Sequence, residues 1–212
     1  MTAGDTLFDL PDGTRHPRAS VVLLVGPSGS GKTRLPRKLG IPSVALDEFY
    51  RDEDYPGMPR RHGMIDWDSP QCWDRDAALS ALLELSIHGQ ADIPIYDIPT
   101  SRRTGTRRLE LAGSPIVIAE GIFAAELVDA CRGEGILADA ICLVRPRATT
   151  FYFRLTRDFA EARKPPIQLL RRGLTHVREE PAKVRRWVAQ GCRPLGLAEA
   201  EARITSLAAR HP

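Results

Sequence analysis

The run Gly26-Pro27-Ser28-Gly29-Ser30-Gly31-Lys32-Thr33 constrains this chain more than any other segment. It fits G-x-x-x-x-G-K-[ST], and its setting suits a phosphate loop. The preceding Val21–Val25 is a short, wholly apolar run that reads as a buried strand ending at Gly26. A helical stretch follows to about Leu39, limited or bent by Pro36. Glycines let successive backbone N–H groups turn inward around phosphate oxygens, and the helix start adds partial positive charge. Lys32 is placed to reach the β- and γ-phosphates, and the Thr33 hydroxyl to ligate Mg²⁺. Of the 30 basic residues only four are lysine, at 32, 38, 164 and 183, so a lysine at the motif position is informative. The competing reading is a flexible Gly/Ser turn. The expectation is that Gly26–Thr33 binds a nucleoside triphosphate, ATP or GTP, with Mg²⁺.

A chain of 212 residues suits one domain. With 42% hydrophobic and 27% charged residues it has the balance of a soluble protein with a buried core. No stretch approaches the roughly 18 apolar residues of a membrane helix, so no membrane partner is expected. The first fifteen residues hold acids and a turn without an apolar core, so no signal peptide is expected. The cysteines at 72, 131, 142 and 192 show no CxxC spacing, which argues against a zinc site or a redox pair. They read as reduced core thiols of a cytoplasmic protein. Net charge is +3 but uneven: residues 145–193 hold 13 Lys+Arg against 4 Asp+Glu. Such a surplus suits a polyphosphate, a nucleic acid or simply Arg-rich solvated helix faces.

Further strands are expected at Ser43–Leu46, Ile116–Ala119 and Ala140–Val144. Residues 50–68 are polar with Pro and Gly, and read as loop. Apolar residues at helical spacing predict a helix from about Ser69 to Ile87, stopped by Gly89. Ile93, Ile95 and Thr106–Leu111 flank the basic turn SRRTG and predict a β-hairpin. Helices are expected over Thr149–Ala162, over Ile167–Gln190 with a break at Pro181, and over Leu197–Ala209. Buried strands alternating with helices predict an α/β fold with a mainly parallel sheet.

Two acids fall where such sheets bind ligands, at the C-terminal ends of strands. Asp47, in Leu46-Asp47-Glu48-Phe49-Tyr50, is placed to accept a proton from a substrate hydroxyl or to hold the water shell of Mg²⁺. Glu120, in Ile116-Val117-Ile118-Ala119-Glu120-Gly121, follows four apolar residues in a Walker-B-like pattern that brings an acid to the metal side of the loop. Each acid alone also reads as a solvated strand end.

The segments GPSGSGKT, LDEFY, IDWDSPQCWD, IPIYDIPTSRR, IVIAEGIF and RLTRDFAEARK, in that order over roughly residues 20–165, resemble the uridine kinase family. That family belongs to the uridine kinase/phosphoribulokinase group of P-loop kinases. The resemblance implies a P-loop NTPase three-layer sandwich with a mainly parallel sheet, an inserted β-hairpin (90–112) and a helical C-terminal part. The chain would be one domain over 1–212, with an N-terminal arm at 1–19 and a lid at 154–166. It implies phosphoryl transfer from ATP or GTP to a nucleoside 5′-hydroxyl, such as that of uridine or cytidine.

By the same resemblance Asp47 is the catalytic base and Tyr50 closes its segment near the substrate. Asp68 falls where the family hydrogen-bonds the ribose hydroxyls, and Tyr96 where an aromatic lines the base pocket. Glu120 lies near Mg²⁺. Arg157, with Asp158 and Glu161, begins the lid whose arginines close over the transferring phosphate, and Arg163 follows in it. Tyr96 and Trp67 also read as hairpin and core aromatics, Arg157 as helix surface, and Asp68 as a helix cap.

The chain departs from the family in three places. Thr100-Ser101-Arg102-Arg103 stands where the family has a pyrimidine-contacting histidine. Ala162 replaces the first lid arginine. The family's last strand has no clear counterpart, so four parallel strands plus the hairpin are expected. A rival reading is a P-loop regulatory protein whose basic C-terminal half binds nucleic acid or a partner. Such a protein has no need of Asp47, Asp68 and Tyr96 in that order, and aromatics are only 6%, so a nucleic-acid partner is not expected. A third reading keeps the kinase and changes the acceptor to another small alcohol. The sequence specifies no oligomeric state.

Overall fold

The structure, a computed structural model, describes residues 17–61, 63–144 and 180–210. Five parallel strands form the main sheet: β1 (Ser20–Val25), β2 (Ser43–Ala45), β7 (Ile116–Glu120), β8 (Leu137–Leu143) and β9 (Arg193–Leu195). Their spatial order is β2-β7-β1-β8-β9. Two antiparallel pairs stand apart: β3 (Arg60–Arg61) with β4 (Met64–Ile65), and β5 (Gln90–Asp97) with β6 (Arg102–Glu110).

The central strands are apolar throughout because both faces are covered. Side chains alternate across a strand. Val21, Leu23 and Val25 of β1 therefore enter one core with Val117 and Ala119 of β7, while Val22 and Leu24 enter a second with Ile116, Ile118, Ile141 and Leu143. The first core is closed by α2 (Arg75–His88), α3 (Val128–Gly133) and Trp187 of the helical residues 180–189, here α4. The second is closed by α1 (Arg34–Leu39) and α5 (Leu197–Ala209), through Leu35, Ala200, Ile204 and Leu207. Helix–sheet–helix layering is the P-loop NTPase-type α/β fold that the sequence predicts.

Several elements differ from expectation. The sheet has five strands, because Arg193-Pro194-Leu195 pairs in parallel with Ile141–Leu143 at the edge, where a proline is tolerated. α2 starts at Arg75, not near Ser69: Pro70–Cys72 form a 3-10 turn, and Asp74 caps the helix by accepting from Ala77 N at 3.2 Å. Residues 60–65, read as loop, carry the small β3–β4 pair. The β5–β6 turn is 98–101, so Arg102 to Gly105 lie in β6 rather than in the turn. α1 ends at Gly40, in the left-handed region at φ 66°, and Pro36 sits in its first turn, where a missing N–H costs nothing. All four cysteines are buried and free, and burial raises their thiols, to about 12 for Cys72 and Cys192 and about 11 for Cys131 and Cys142. The predicted helix over 149–162 and the part of the 167–190 helix before residue 180 lie outside the described residues, and Pro181 sits in the first turn of the described helical residues of α4.

Candidate active site

β1 is the sheet's central strand and ends at the phosphate loop, flanked by β7 and β8. Open α/β sheets bind ligands at this edge, where the strand order reverses. The loop is shaped by close approach. A Cβ on Gly26 would lie 2.8 Å from Ser30 Oγ and 3.0 Å from the Leu143 carbonyl oxygen. Gly29 and Gly31 take φ of 85° and 99°, which other residues adopt only with strain. Ser30 N donates to Pro27 O at 3.1 Å, and Gly31 O accepts from Arg34 N and Leu35 N. Ser30 Oγ is fully buried and has no hydrogen-bond partner among the described residues. A buried hydroxyl without a partner in a glycine-lined concavity suits an oxygen-rich ligand.

Lys32, Thr33, Asp47 and Glu120 share this edge. Glu120 is 7% exposed at the end of β7. Burial raises its carboxyl; Lys32 and a hydrogen bond from the Thr33 hydroxyl pull it back, while Asp47 raises it further. Asp47 lies in the 3-10 turn Leu46–Phe49 directly after β2. Its carboxylate surface faces solvent, yet the protein around it is dense enough that desolvation raises its carboxyl, against the pull of Lys32 and with a push from Glu48. The turn rests on Gly121, where a Cβ would fall 2.9 Å from Leu46 Cβ and 3.2 Å from Asp47 Oδ1. Trp73 Nε1 donates to Leu46 O at 2.8 Å.

The described residues contain no cluster of three or more His, Cys, Asp or Glu shaped for a metal. Mg²⁺ needs none: it is ordinarily held by one or two carboxylates together with substrate phosphates and water. The Thr33 hydroxyl and Glu120 carboxylate, both hard oxygen donors beside the loop, fit that ion.

An aromatic group forms the wall next to Asp47. The Tyr50 ring lies 5.5 Å from Trp67, 5.7 Å from Tyr96 and 5.9 Å from Phe123, and Phe123 stacks on Trp73 at 5.3 Å. The Tyr50 hydroxyl donates to Trp67 O at 3.1 Å. Burial, then the Asp47 charge, raises the Tyr50 phenol well above its ordinary range. Burial raises that of Tyr96 to about 12, so both remain protonated donors. Asp68 does not cap α2. Its Oδ2 accepts from Lys183 Nζ of α4 at 2.8 Å. Asp68, Lys183, Glu180 and Trp187 line one cleft with Gly26, Pro27 and Ser28 of the loop.

The structure thus brings together Lys32, Thr33, Asp47 and Glu120, sets Tyr50 against Tyr96, and puts Asp68 on the loop's cleft. Arg157 and Arg163 lie outside the described residues. Sequence reasoning missed Phe123, Gly121, Lys183 and Arg103. Phe123 and Gly121 stood in the segment EGIF beside Glu120, and Lys183 is one of only four lysines.

A phosphate loop leaving the central strand of this sheet, with acids on two neighbouring strand ends, defines a P-loop phosphotransferase-type site. A uridine kinase from Deinococcus deserti is 31% identical over 176 residues, 78% of this chain and 81% of that protein. The chain belongs to the uridine kinase family. The inorganic pyrophosphatase TTM2 of Arabidopsis thaliana is 38% identical over 108 residues, 49% of this chain. The match spans only 15% of that plant protein. A putative fructose transport system kinase from Silicibacter sp. TM1040 shares the fold, with a TM-score of 0.57 at 19% identity over 77% of this chain and 85% of that one. No family model matches the chain.

Proposed function

We propose that the chain transfers the terminal phosphoryl group of ATP or GTP to a small-molecule hydroxyl, and that the acceptor is a nucleoside 5′-hydroxyl, as in uridine or cytidine. The observation that carries the reading is the convergence of Lys32, Thr33, Asp47 and Glu120 on one edge of the sheet. The backbone of Gly26–Thr33 holds the phosphates, and Lys32 neutralises charge on the transferring group. Thr33 and Glu120 would hold Mg²⁺, which when bound would offset phosphate charge. Asp47 accepts the hydroxyl proton as the new oxygen–phosphorus bond forms and the bridging oxygen departs with the nucleoside diphosphate. A carboxyl raised by desolvation is a better base than one in water, and the Lys32 charge favours its ionised form.

Tyr50 and Tyr96 form the apolar wall for a flat base, and Asp68 accepts hydrogen bonds from vicinal hydroxyls. Arg157 and Arg163 are assigned to the lid on family resemblance. A cytoplasmic setting suits the four free, buried thiols. Among the described residues no helix is long and apolar enough to cross a membrane.

The test is ADP release with Mg²⁺ and ATP over a panel of nucleosides, sugars and vitamin alcohols. Release with a ribonucleoside well above the no-acceptor rate supports the reading. Release with a different alcohol moves the acceptor assignment, and release with none sinks it.

A further inference from the structure

The backbone that carries Asp47 is held from outside the main sheet. The carbonyls of Phe49, Tyr50 and Arg51, three in succession, all accept from the β5–β6 hairpin. Arg103 Nη2 donates to Phe49 O at 3.3 Å, Arg103 Nε to Tyr50 O at 3.1 Å, and the Tyr96 hydroxyl to Arg51 O at 3.3 Å. Arg103 Nη2 also reaches Asp74 Oδ2, on the cap of α2, at 3.3 Å. The Arg103 backbone N–H donates to Asp52 Oδ1 at 2.8 Å. Tyr96 and Arg103 are direct cross-strand partners, just past the register shift between Ile95 and Tyr96. Cross-strand partners put their side chains on the same face of a hairpin. One face therefore presents both the acceptor-wall tyrosine and the arginine that grips the turn.

We propose that Arg103 is a positioning residue for Asp47, coupling the seating of the acceptor against Tyr96 to the placement of the base. The inference rests on the phosphotransferase reading above. The chemistry favours arginine. A rigid planar fork with five donors serves two carbonyls and a carboxylate at once, whereas a lysine offers a single point charge on a flexible stem. Other anchors hold the turn independently: Trp73 Nε1 on Leu46 O, and Arg107 on Glu48 at 2.8 Å. Loss of Arg103 therefore shifts the turn rather than unfolding it. A small displacement of a catalytic group is sufficient to slow the reaction greatly.

Three variants separate this from a generic stabilising role: Arg103→Met, Arg103→Lys and, as a control on the same strand, Arg108→Met. Arg108 pairs with Asp92 on the exposed surface. With uridine, ATP and Mg²⁺, Arg103→Met should lower kcat about 10- to 100-fold, with Mg·ATP affinity within about twofold of wild type. Arg103→Lys should recover part of the loss, and Arg108→Met should change nothing. Amide hydrogen exchange over residues 46–51 should quicken by about tenfold in Arg103→Met and stay at the wild-type rate in Arg108→Met. Wild-type kcat in Arg103→Met, or equal losses in Arg103→Met and Arg108→Met, overturns the proposal. If Arg103→Met does not fold, Arg103→Lys carries the same comparison. A wild-type chain that does not turn over uridine counts against the acceptor assignment instead. The exchange measurement then decides: faster exchange at 46–51 upholds the anchoring, and unchanged exchange overturns it.

Discussion

Lys183 Nζ lies 2.8 Å from Asp68 Oδ2, joining residues 115 positions apart in sequence across the mouth of the phosphate loop. Both side chains are part-exposed, at 38% and 55%, so the pair adds only about 0–1 kcal/mol to the fold. The adjacent Asp74 is the true cap of α2. Asp68 takes no part in that cap, and its carboxylate is held by Lys183.

The two aspartates should separate cleanly on substitution. Asp74→Ala removes a cap worth about 1 kcal/mol and should lower Tm by about 2–4 °C. Asp68→Ala should leave Tm nearly unchanged and narrow the gap between ribo- and 2′-deoxynucleoside substrates. That gap is expected to be about ten- to a hundredfold in kcat/KM, from one acceptor site left unpaired. Kinetics on both substrates, beside thermal melts, check it. A wild-type ribo/deoxy ratio in Asp68→Ala removes Asp68 from sugar recognition.

The phosphate loop yields a second pair of expectations. Lys32→Ala should abolish turnover and leave the fold intact, because Lys32 sits on the ligand edge and outside both hydrophobic cores. Gly26→Ala should weaken nucleotide binding through shape alone, since the added methyl meets Ser30 Oγ at 2.8 Å and the backbone of Leu143 at 3.0 Å. A turnover assay checks the first, and equilibrium titration with an ATP analogue checks the second. Wild-type affinity in Gly26→Ala would show that the loop relaxes without cost.

For the base, Asp47→Asn keeps the shape and removes the proton acceptor. A fall in kcat of about 10²–10⁴ is expected, with Mg·ATP affinity preserved. Gly121→Ala should mimic part of this loss, because its methyl would crowd Leu46 Cβ at 2.9 Å and Asp47 Oδ1 at 3.2 Å. If Asp47→Asn loses Mg·ATP binding to the same degree, the aspartate belongs to the metal instead.

What was legible in the sequence follows from local chemistry. β1, β7 and β8 showed as apolar runs because both their faces are buried. Thr33, Asp47 and Glu120 could be placed because each follows a strand end or the glycine motif. β9 was hidden: three residues with an arginine and a proline, at an exposed edge, carry no apolar signal. The start of α2 was hidden because Pro70–Cys72 form a 3-10 turn and Asp74, not Asp68, caps the helix, which the apolar spacing does not show. The hairpin's turn and bulge were hidden too, since the register shift at Ile95/Tyr96 depends on pairing and not on residue type. Lys183 and Arg103 depend on contacts between residues distant in sequence, which no spacing encodes.

The two acids at this edge leave a pH signature on stability. Desolvation raises the carboxyls of both Asp47 and Glu120 above their ordinary values, so over the intervening range the folded chain binds more protons than the unfolded one. Stability therefore falls as pH rises from the ordinary carboxylate range through the raised folded values, and the penalty is fully present above them. Asp47→Asn abolishes its share of that penalty. The variant should melt higher than wild type near neutral pH, and the difference should vanish below the ordinary carboxylate range, where wild-type Asp47 is also neutral. Lys32 opposes the gain, since the amide no longer attracts its ammonium, and Lys32→Ala should lower the melt of wild type more than that of Asp47→Asn. Thermal melts of the four chains in the double-mutant cycle, across acidic to neutral pH, give the outcome directly. An Asp47→Asn chain less stable than wild type at neutral pH would mean that the lysine contact outweighs desolvation, and that the turn is built to favour the ionised aspartate.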